Sequence, residues 1–498
     1  MRANQSLSNF LASNGRVVIG SILSILITPL VIKYVGDSEY GAFRVFLDIF
    51  AYFSLVDIGV YSSFIVILNK KFTKQNRVEI SKTFLVAKKF YTRLFAISLI
   101  AFLLTSPIVI YLVKSETLDK GIVYYSYLIF MFSLLNLLYK AHQGYLEAKN
   151  KSSIISMGSI IQNILFSLGS LGLAYYGFGL KGLCVAFVVS SLAPYVLYYF
   201  KVKNLVDTVN VSDEDYSKEL KEVNRFSKAN FLVHLTGKFS LYSDTLIISF
   251  ILSPVSVTYY FVSSRIISLA STVPGAISSS SWAALGEIYH GGDLSKFNQY
   301  IYRISRLILI SSLLFIAPLI FISRSFVSLW VGSDYYLGEF FISIVIVNFF
   351  IQSVMNFWGW CLSTTHHLDR AIKMQYVGLV SNVSSSIILT FFYDESGPVL
   401  GTLFTNLFIN IPWLLYLMKD IYGINILYLL KKLGICFVIL VLCLLMSFEG
   451  KYIEVTSWSD FLFYSALTGI GFITVVYTVV MNQDEKVFYT SLVKRFLK

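Results

Sequence analysis

The chain is poor in charge: only 14% of its 498 residues are Asp, Glu, Lys or Arg, against roughly a quarter in an ordinary soluble domain. With 56% hydrophobic residues and a mean hydropathy of +0.70, it has too little polar surface to coat large domains in water. That excludes a soluble globular protein, and a disordered one as well. Cysteine is scarce. Cys184, Cys361, Cys436 and Cys443 stand in apolar runs without paired spacing, so they read as small buried hydrophobes. The five histidines, His142, His234, His290, His366 and His367, lack metal-ligand spacings, and no metal is expected. No glycine-rich loop ends in Gly-Lys-Ser or Gly-Lys-Thr; Gly237-Lys238 precedes Phe239 and Gly450-Lys451 precedes Tyr452, so ATP is not the direct motor. No loop on the less basic side exceeds about 20 residues, which leaves no room for a catalytic module. The chain reads as a non-enzyme without an organic cofactor.

What the sequence has in abundance is long apolar runs. A hydrocarbon core about 30 Å thick needs roughly 20 apolar residues per helix, and runs near that length number about 14. The first six are Arg16 to Val35, Ala42 to Leu68, Phe90 to Val113, Ile122 to Tyr139, Ile154 to Tyr176 and Leu180 to Phe200. The next six are Ala229 to Leu252, Val257 to Leu285, Leu307 to Ile322, Phe340 to Leu362, Ile372 to Tyr393 and Val399 to Met418; Leu433 to Phe448 and Phe461 to Met481 follow. The stretch Met1 to Gly15 is mostly polar and no small-residue cleavage site follows it, so the first run is a span and not a signal peptide. The expected fold is an all-α integral membrane protein.

The net charge of +12 would suggest nucleic acid in a soluble chain, but its distribution points to a membrane. With the amino terminus inside, 31 of the 40 basic residues fall in inside segments and seven outside, namely Lys33, Arg44, Lys114, Lys120, Lys181, Arg324 and Lys451. Both termini are then cytoplasmic. The segment Lys70 to Arg93 carries eight basic residues against Glu79; it reads as a topology signal, with an anionic-lipid dock as the second reading.

The longest hydrophilic stretch, 201–228, holds Asp207, Asp213, Glu214, Asp215, Glu219 and Glu222 beside six basic residues and reads as a cytoplasmic linker. It separates a six-helix lobe at 1–200 from a second at 229–418, and two extra helices with a basic tail occupy 419–498. A shift of 219 positions aligns Tyr40 with Tyr259, Lys151 with Arg370, Asn163 with Asn382 and Gly182 with Gly401. That is the pattern of parallel repeats, two lobes around a central cavity. The tail after Asp484 reads either as a short interfacial helix or as an ordinary basic tail.

An ionisable group deep in a span costs about 2.5 to 3.5 kcal/mol on insertion scales, so each needs a partner, water or a task. Lys238, with His234 one turn before it, and Arg265 suit a cationic lumen for an anionic headgroup. The competing reading is a salt bridge; Asp244 shares the helix of Lys238 but lies on another face. Arg44 and Asp48, four residues apart, read first as a local ion pair, with Arg44 a secondary substrate contact. Asp57 has no basic residue one turn away, which suits H+ or Na+ coupling, against a hydrogen-bonding role at a kink before Gly59. Asp48 and Asp244 are the secondary coupling candidates. Gln162, Asn163, Asn348, Gln352, Asn356, Asn382, Asn406 and Asn410, with Trp358 and Trp360, suit sugar hydroxyls and rings, although helix-to-helix bonding is the commoner role of buried amides.

Short motifs add a family. Thr28-Pro29-Leu30, Val35-Gly36, Glu39-Tyr40-Gly41 and Val56-Asp57-Ile58-Gly59 are followed by Gln143-Gly144-Tyr145, Gly177 to Gly182, Tyr259 to Arg265, Gly286 to Asp293 and Leu329-Trp330-Val331-Gly332. This set resembles the polysaccharide flippases of the MATE-like exporter superfamily, including Wzx-type O-antigen flippases, over about the first 420 residues. The resemblance implies twelve core helices in two bundles, a V-shaped cavity open to one side at a time, and export of a lipid-linked glycan. The positive charge such cavities offer a pyrophosphate maps onto Lys238 and Arg265, and onto Arg16 at the start of the first span. Fourteen spans instead of twelve depart from the commonest O-antigen pattern and leave open a teichuronic-acid, capsule or lipid II type of substrate. The expected partners are a lipid-linked oligosaccharide, membrane lipids and polysaccharide polymerase machinery, in a bacterial cytoplasmic membrane. A multidrug cation exporter of the same fold is the alternative, and Lys238 and Arg265 oppose it by sign.

Overall fold

In the computed structural model the described residues are 2–55, 57–114, 117–207, 209, 211–365, 367–449, 455–483 and 485–486; within these, the side chains of 2–11, 13, 14, 54, 55, 58, 59, 222, 224–241, 283, 368, 448 and 449 are outside the description. Among the described residues there are helices and no strands. The chain divides into two compact units, Met1–Thr258 and Tyr259–Lys498.

The first unit is built from α1 (Arg2–Val35), α2 (Asp37–Leu55), α3 (Ile58–Thr73), α4 (Arg77–Leu112), α5 (Lys120–Phe130), a 3-10 segment (Met131–Tyr139), α6 (Lys140–Ala148), α7 (Ser152–Tyr175), α8 (Gly179–Val202) and α9 (Asp213–Ile251). At 36 and 39 residues, α4 and α9 run about 54 and 58 Å at 1.5 Å per residue, well beyond a 30 Å core. Their surplus is the charged part. The polar segment 201–228 is therefore not all linker: from Asp213 onward it is the first turns of α9. Ser212 starts that helix with a capping box, its Oγ accepting from Asp215 N–H at 3.1 Å while Asp215 Oδ2 accepts from Ser212 N–H.

Helices α2 and α3 run antiparallel along α9. At one end Thr258 Oγ1 donates to Asp37 O at 2.8 Å, further along Tyr52 meets Tyr242 with ring centroids 5.9 Å apart, and at the far end Lys71 pairs with Glu219. The motif Glu39-Tyr40-Gly41 sits at the tight end. Glu39 Oε2 accepts from Leu180 N–H at the start of α8, and Tyr40 is buried. A Cβ on Gly41 would lie 1.8 Å from Pro254 O. The Gly177 to Gly182 motif is the α7 to α8 turn, where Gly177 and Gly179 adopt φ of +78° and +55°.

The second unit continues α10 (Pro254–Ala270), which begins in the first, into α11 (Thr272–Ser280), α12 (Trp282–His290), α13 (Leu294–Phe315), α14 (Leu319–Trp330), α15 (Gly338–Thr364), α16 (Leu368–Tyr393), α17 (Gly397–Thr405), α18 (Ile411–Tyr422), α19 (Ile426–Glu449) and α20 (Trp458–Val475). Its core joins α13, α15, α18 and α19 through Ile308, Leu313, Phe350, Phe357, Leu417 and Cys436. Ser263 ties α10 to the turn before α15, donating to Tyr335 O at 2.6 Å and accepting from Leu337 N–H at 3.0 Å. Gly332, at φ +139°, makes that turn. Cys184, Cys361 and Cys436 are buried and Cys443 half-buried, all as free thiols.

Among the described residues nine helical stretches are long and apolar enough to span, or ten when α13 and α14, bent by 43°, are taken together. The sequence runs and these stretches differ for local reasons. The run Ala42 to Leu68 breaks at Asp57; Val257 to Leu285 breaks at Ser271 and Ser281, whose hydroxyls bond back to Ser268 O and Ile277 O. Leu307 to Ile322 bends at Pro318, and the runs at Ile372 and Val399 merge into one stretch, Asp369–Tyr422. Most of Ala229 to Leu252 lies in the part of α9 whose side chains are outside the description, and the tail after Asp484, save Glu485 and Lys486, lies outside the described residues.

Gly41→Val should force α2 away from Pro254 and destabilise the first unit by about 1–3 kcal/mol. Thermal unfolding in detergent checks this, with Gly172→Ala, where a Cβ meets nothing within 4 Å, as the position expected to stay near wild type.

Candidate functional site

Three groups of ionisable residues lie in the first unit. The first is at the middle of the α2 and α9 contact. Buried Asp48 accepts from the Thr245 hydroxyl and has Arg44 as its electrostatic partner; Asp244 and Tyr242 on α9 lie within electrostatic reach of Tyr52. Arg44 is thus charge-compensated by Asp48, as the four-residue spacing suggests.

The second group surrounds the break between α2 and α3. Asp57 is 4% exposed and stands at the N-cap of α3; its carbonyl accepts from Val60 N–H and Tyr61 N–H, but its carboxylate makes no cap bond. The carboxylate is held elsewhere. Tyr91 on α4 donates its hydroxyl to Oδ1, and Lys140 Nζ on α6 lies 3.7 Å from Oδ2. Lys140 also sits 5.2 Å above the Tyr61 ring, and the Tyr61 hydroxyl donates to Glu147 Oε2 at 2.6 Å. Asp57, which has no basic residue one turn away in the sequence, has a cation beside it in the fold. Its cation comes from another helix, 83 positions away, where helical spacing cannot reveal it.

The third group is the overhang of α4 and α9. Arg77 pairs with Asp207 at 2.9 Å, Lys82 with Asp215 at 3.6 Å, Lys89 with Asp213 at 2.8 Å, and Lys71 with Glu219. Arg93 and Lys89 lie over the Tyr216 ring at 4.6 and 5.1 Å. Of the eight basic residues in segment 70–93, Lys71, Arg77, Lys82 and Lys89 pair with acidic residues of 201–228. Lys89, by hydrogen bond and charge, holds the Asp213 carboxyl below its usual range, and the Ser212 hydroxyl and N–H do the same for Asp215.

In the second unit Arg265 is half-buried on α10, its guanidinium 5.4 Å from the Phe261 ring centroid. Arg306 is 7% exposed and was not legible as special; it follows an ordinary inside-loop pattern. Here it bonds Lys432 O at 2.9 Å and Val480 O, and pairs with Glu485 at 2.7 Å, fastening α19 and the π-helical end after α20 to α13. The amides divide. Asn348, Asn406 and Asn410 form a chain from Val399 O, Asn382 bonds Thr402, and Trp358 Nε1 donates to Ser305 Oγ; all but the Asn410 to Asn406 bond, which lies within one π-helical segment, are helix-to-helix contacts. Asn356 is exposed and Gln352 and Trp360 half-buried, on one face of α15 at four-residue spacing. Gln162 and Asn163 on α7 are half-buried, and Asn163 Nδ2 lies 2.9 Å from where a Gly20 Cβ would be. Arg16 is exposed on α1 within electrostatic reach of Tyr198. Lys238 and His234 lie in α9, with their side chains outside the described residues.

The long apolar helices, broken at polar hinges and gathered in two units, are those of a multi-pass membrane transporter fold. Over 97% of this chain and 99% of the other, it is similar to the lipid II flippase MurJ in an inward closed conformation, at a TM-score of 0.72 and 17% identity. It is also similar to an inward-facing multidrug resistance MATE family transporter of the MOP superfamily, over 82% of this chain and 98% of the other, at 0.67 and 13%. The family described as polysaccharide biosynthesis protein matches residues 35–337, more than half of the sequence, and the chain belongs to that family. A relative from Haloferax volcanii, described as the probable flippase AglR, is 24% identical over 292 residues, 58% of this chain and 57% of that protein. The chain thus spans less than two thirds of that relative's length. The family agrees with the one the short motifs resemble.

The contact between the α4 and α9 overhangs should loosen with salt and acid, not with mild alkali. Folded carboxyls held below their usual range contribute fully above that range and lose the contribution as pH falls through it. Protection factors over 213–221, amide exchange relative to the intrinsic rate at each pH, should therefore fall below about pH 4 and at high ionic strength, and stay flat between pH 6 and 8. Glu219→Gln should raise exchange there at neutral pH.

Proposed function

We propose that the protein is a flippase that carries an undecaprenyl-pyrophosphate-linked oligosaccharide, a polysaccharide repeat unit of the O-antigen kind, from the cytoplasmic to the outer leaflet of a bacterial inner membrane by alternating access. The observation that carries this reading is the match to the polysaccharide biosynthesis family across residues 35–337. The AglR relative, described as a probable flippase, supports the activity; the likeness to MurJ supports a fold able to move a lipid-linked headgroup.

In this reading charge selects the headgroup. Arg265, beside Phe261, and Lys238 and Arg16 supply cations for the pyrophosphate, with Arg preferred where a planar fork can grip phosphate oxygens. The exposed and half-buried Gln352, Asn356 and Trp360 offer amide and ring contacts for sugars. Arg44 is the weaker candidate, because Asp48 already compensates it. The polyprenyl tail stays in lipid. An H+ or Na+ gradient acting at Asp57 resets the carrier, with Asp48 and Asp244 as secondary sites, and polymerase machinery takes the product.

A multidrug cation exporter is the second reading, favoured by the acidic pair Asp48 and Asp244 near Tyr52. The two readings separate in cells lacking their own flippase. Wild type should restore surface glycan, while Lys238→Ala and Arg265→Ala at matched membrane levels should each lower export tenfold or more, about 1.4 kcal/mol of headgroup binding per decade. No restoration with any repeat unit, together with dye efflux that survives both substitutions, would favour the cation exporter.

A further inference from the structure

The cluster around Asp57 has a feature that a plain cation site lacks: one ammonium between two carboxylates. Lys140 and Glu147 are seven residues apart on α6, two turns along the same face. Between them lies Tyr61, its ring under Lys140 at 5.2 Å and its hydroxyl on Glu147 at 2.6 Å. Asp57 occupies the other side of Lys140 at 3.7 Å, with Tyr91 on its second oxygen. We infer that Lys140 is the internal counter-ion of a proton-coupling site, held by Asp57 while that carboxylate is ionised and passed across the Tyr61 ring to Glu147 when Asp57 takes a proton. This rests on the reading of Asp57 as the coupling residue and deepens it by naming the ion and the residue that answers it.

The step balances in charge and atoms. One proton from the aqueous side adds to a carboxylate oxygen of Asp57, the Asp57 to Lys140 ion pair is lost, and Lys140 keeps its charge and re-pairs with Glu147. The neutral acid keeps its contact with Tyr91. Releasing the proton on the other side reverses each change. A sodium ion fits this site poorly, because both Asp57 oxygens already have a partner and a lysine ammonium occupies the cation's place.

The helix break turns the exchange into motion. An aspartate at an N-cap ordinarily bonds the free amides of the first turn, yet the Asp57 carboxylate makes no such bond, being drawn toward Lys140 and Tyr91. Loss of the ion pair removes one of the two contacts that hold it there, at the joint between α2 and α3. The groups facing Asp57 are Tyr91 from α4, Lys140 and, through Tyr61, Glu147 from α6; Tyr198 from α8 acts on Tyr61. From α9, Arg225, Lys228, His234 and Lys238 belong to the stretch whose side chains are outside the description, so the test includes α9.

The experiment is an infrared titration of the full chain in lipid nanodiscs, reading the carbonyl band of a protonated buried carboxyl. It needs no substrate and no flipping, so its outcome is separate from that of the flippase reading. A titrating band should be present in wild type and missing in Asp57→Asn. In Lys140→Met its midpoint should move to higher pH by about 1–3 units, the usual effect of a close opposite charge. Lys140→Arg should leave it within about half a unit. Glu147→Gln should move it the opposite way, to lower pH, because Lys140 then has a single carboxylate to serve; that sign survives even where Lys140→Met does not fold. Replacing choline by sodium at fixed pH should leave the band in place. A band unmoved in both Lys140→Met and Glu147→Gln, a band abolished by sodium, or a shift of equal size in Lys238→Met would overturn the assignment.

Discussion

Hydrocarbon offers no hydrogen bonds, so each polar group carried to membrane depth has to find its partner within the protein, and this constraint shapes both units. Arg306 satisfies it with two carbonyls and Glu485, and in doing so fastens the ends of the last two helices to α13. Asn348, Asn406 and Asn410 satisfy it with one another, along a stretch where the backbone itself loosens into a π-helix. Asp57 satisfies it with Tyr91 and Lys140, at a point where the helix is interrupted.

The interruptions matter as much as the helices. A single straight helix from Asp37 to Thr73 would be stiff throughout; the break at Asp57 gives α2 and α3 a joint, and it places the joint at a carboxylate that is 4% exposed. Helices α2 and α3 are held in three chemically distinct ways: by close backbone approach of Gly41 to Pro254 at the start of α10, by the polar contact of Asp48 with Thr245 in the middle of α9, and by the ion pair of Lys71 with Glu219 near the start of α9, beside which Lys82 and Lys89 of α4 pair with Asp215 and Asp213 where salt can screen them. Such solvent-exposed pairs are weak and screened by salt, so they add little to the fold.

The fold class was legible in the sequence because it rests on composition and run length. The family was legible because its marks are local: Glu39 capping α8, Gly41 admitting Pro254, Gly177 and Gly179 turning with positive φ, and Gly332 before α15 each answer to backbone geometry at one place. Partnerships across helices were not. Lys140, Arg306, Lys82 and Lys89 each look like an ordinary inside cation, and only folding assigns them Asp57, Glu485, Asp215 and Asp213. The opposite charges of segments 70–93 and 201–228 were in plain view, and their proximity on one side of the membrane was the available sign of the pairing. A kink at Asp57 before Gly59 was one of two readings the sequence offered, whereas the breaks at Ser271 and Ser281 were hidden because hydropathy averages across them.

The proposed activity is movement of a pyrophosphate-linked glycan lipid across a bilayer. The most direct measurement reconstitutes the purified full chain in vesicles loaded on one leaflet with a fluorescent undecaprenyl-pyrophosphate oligosaccharide and imposes a pH gradient. The labelled glycan should become accessible on the other leaflet, while a labelled phosphatidylcholine in the same vesicles should not. Movement of a cationic dye with no movement of any pyrophosphate-linked glycan would contradict the proposed activity.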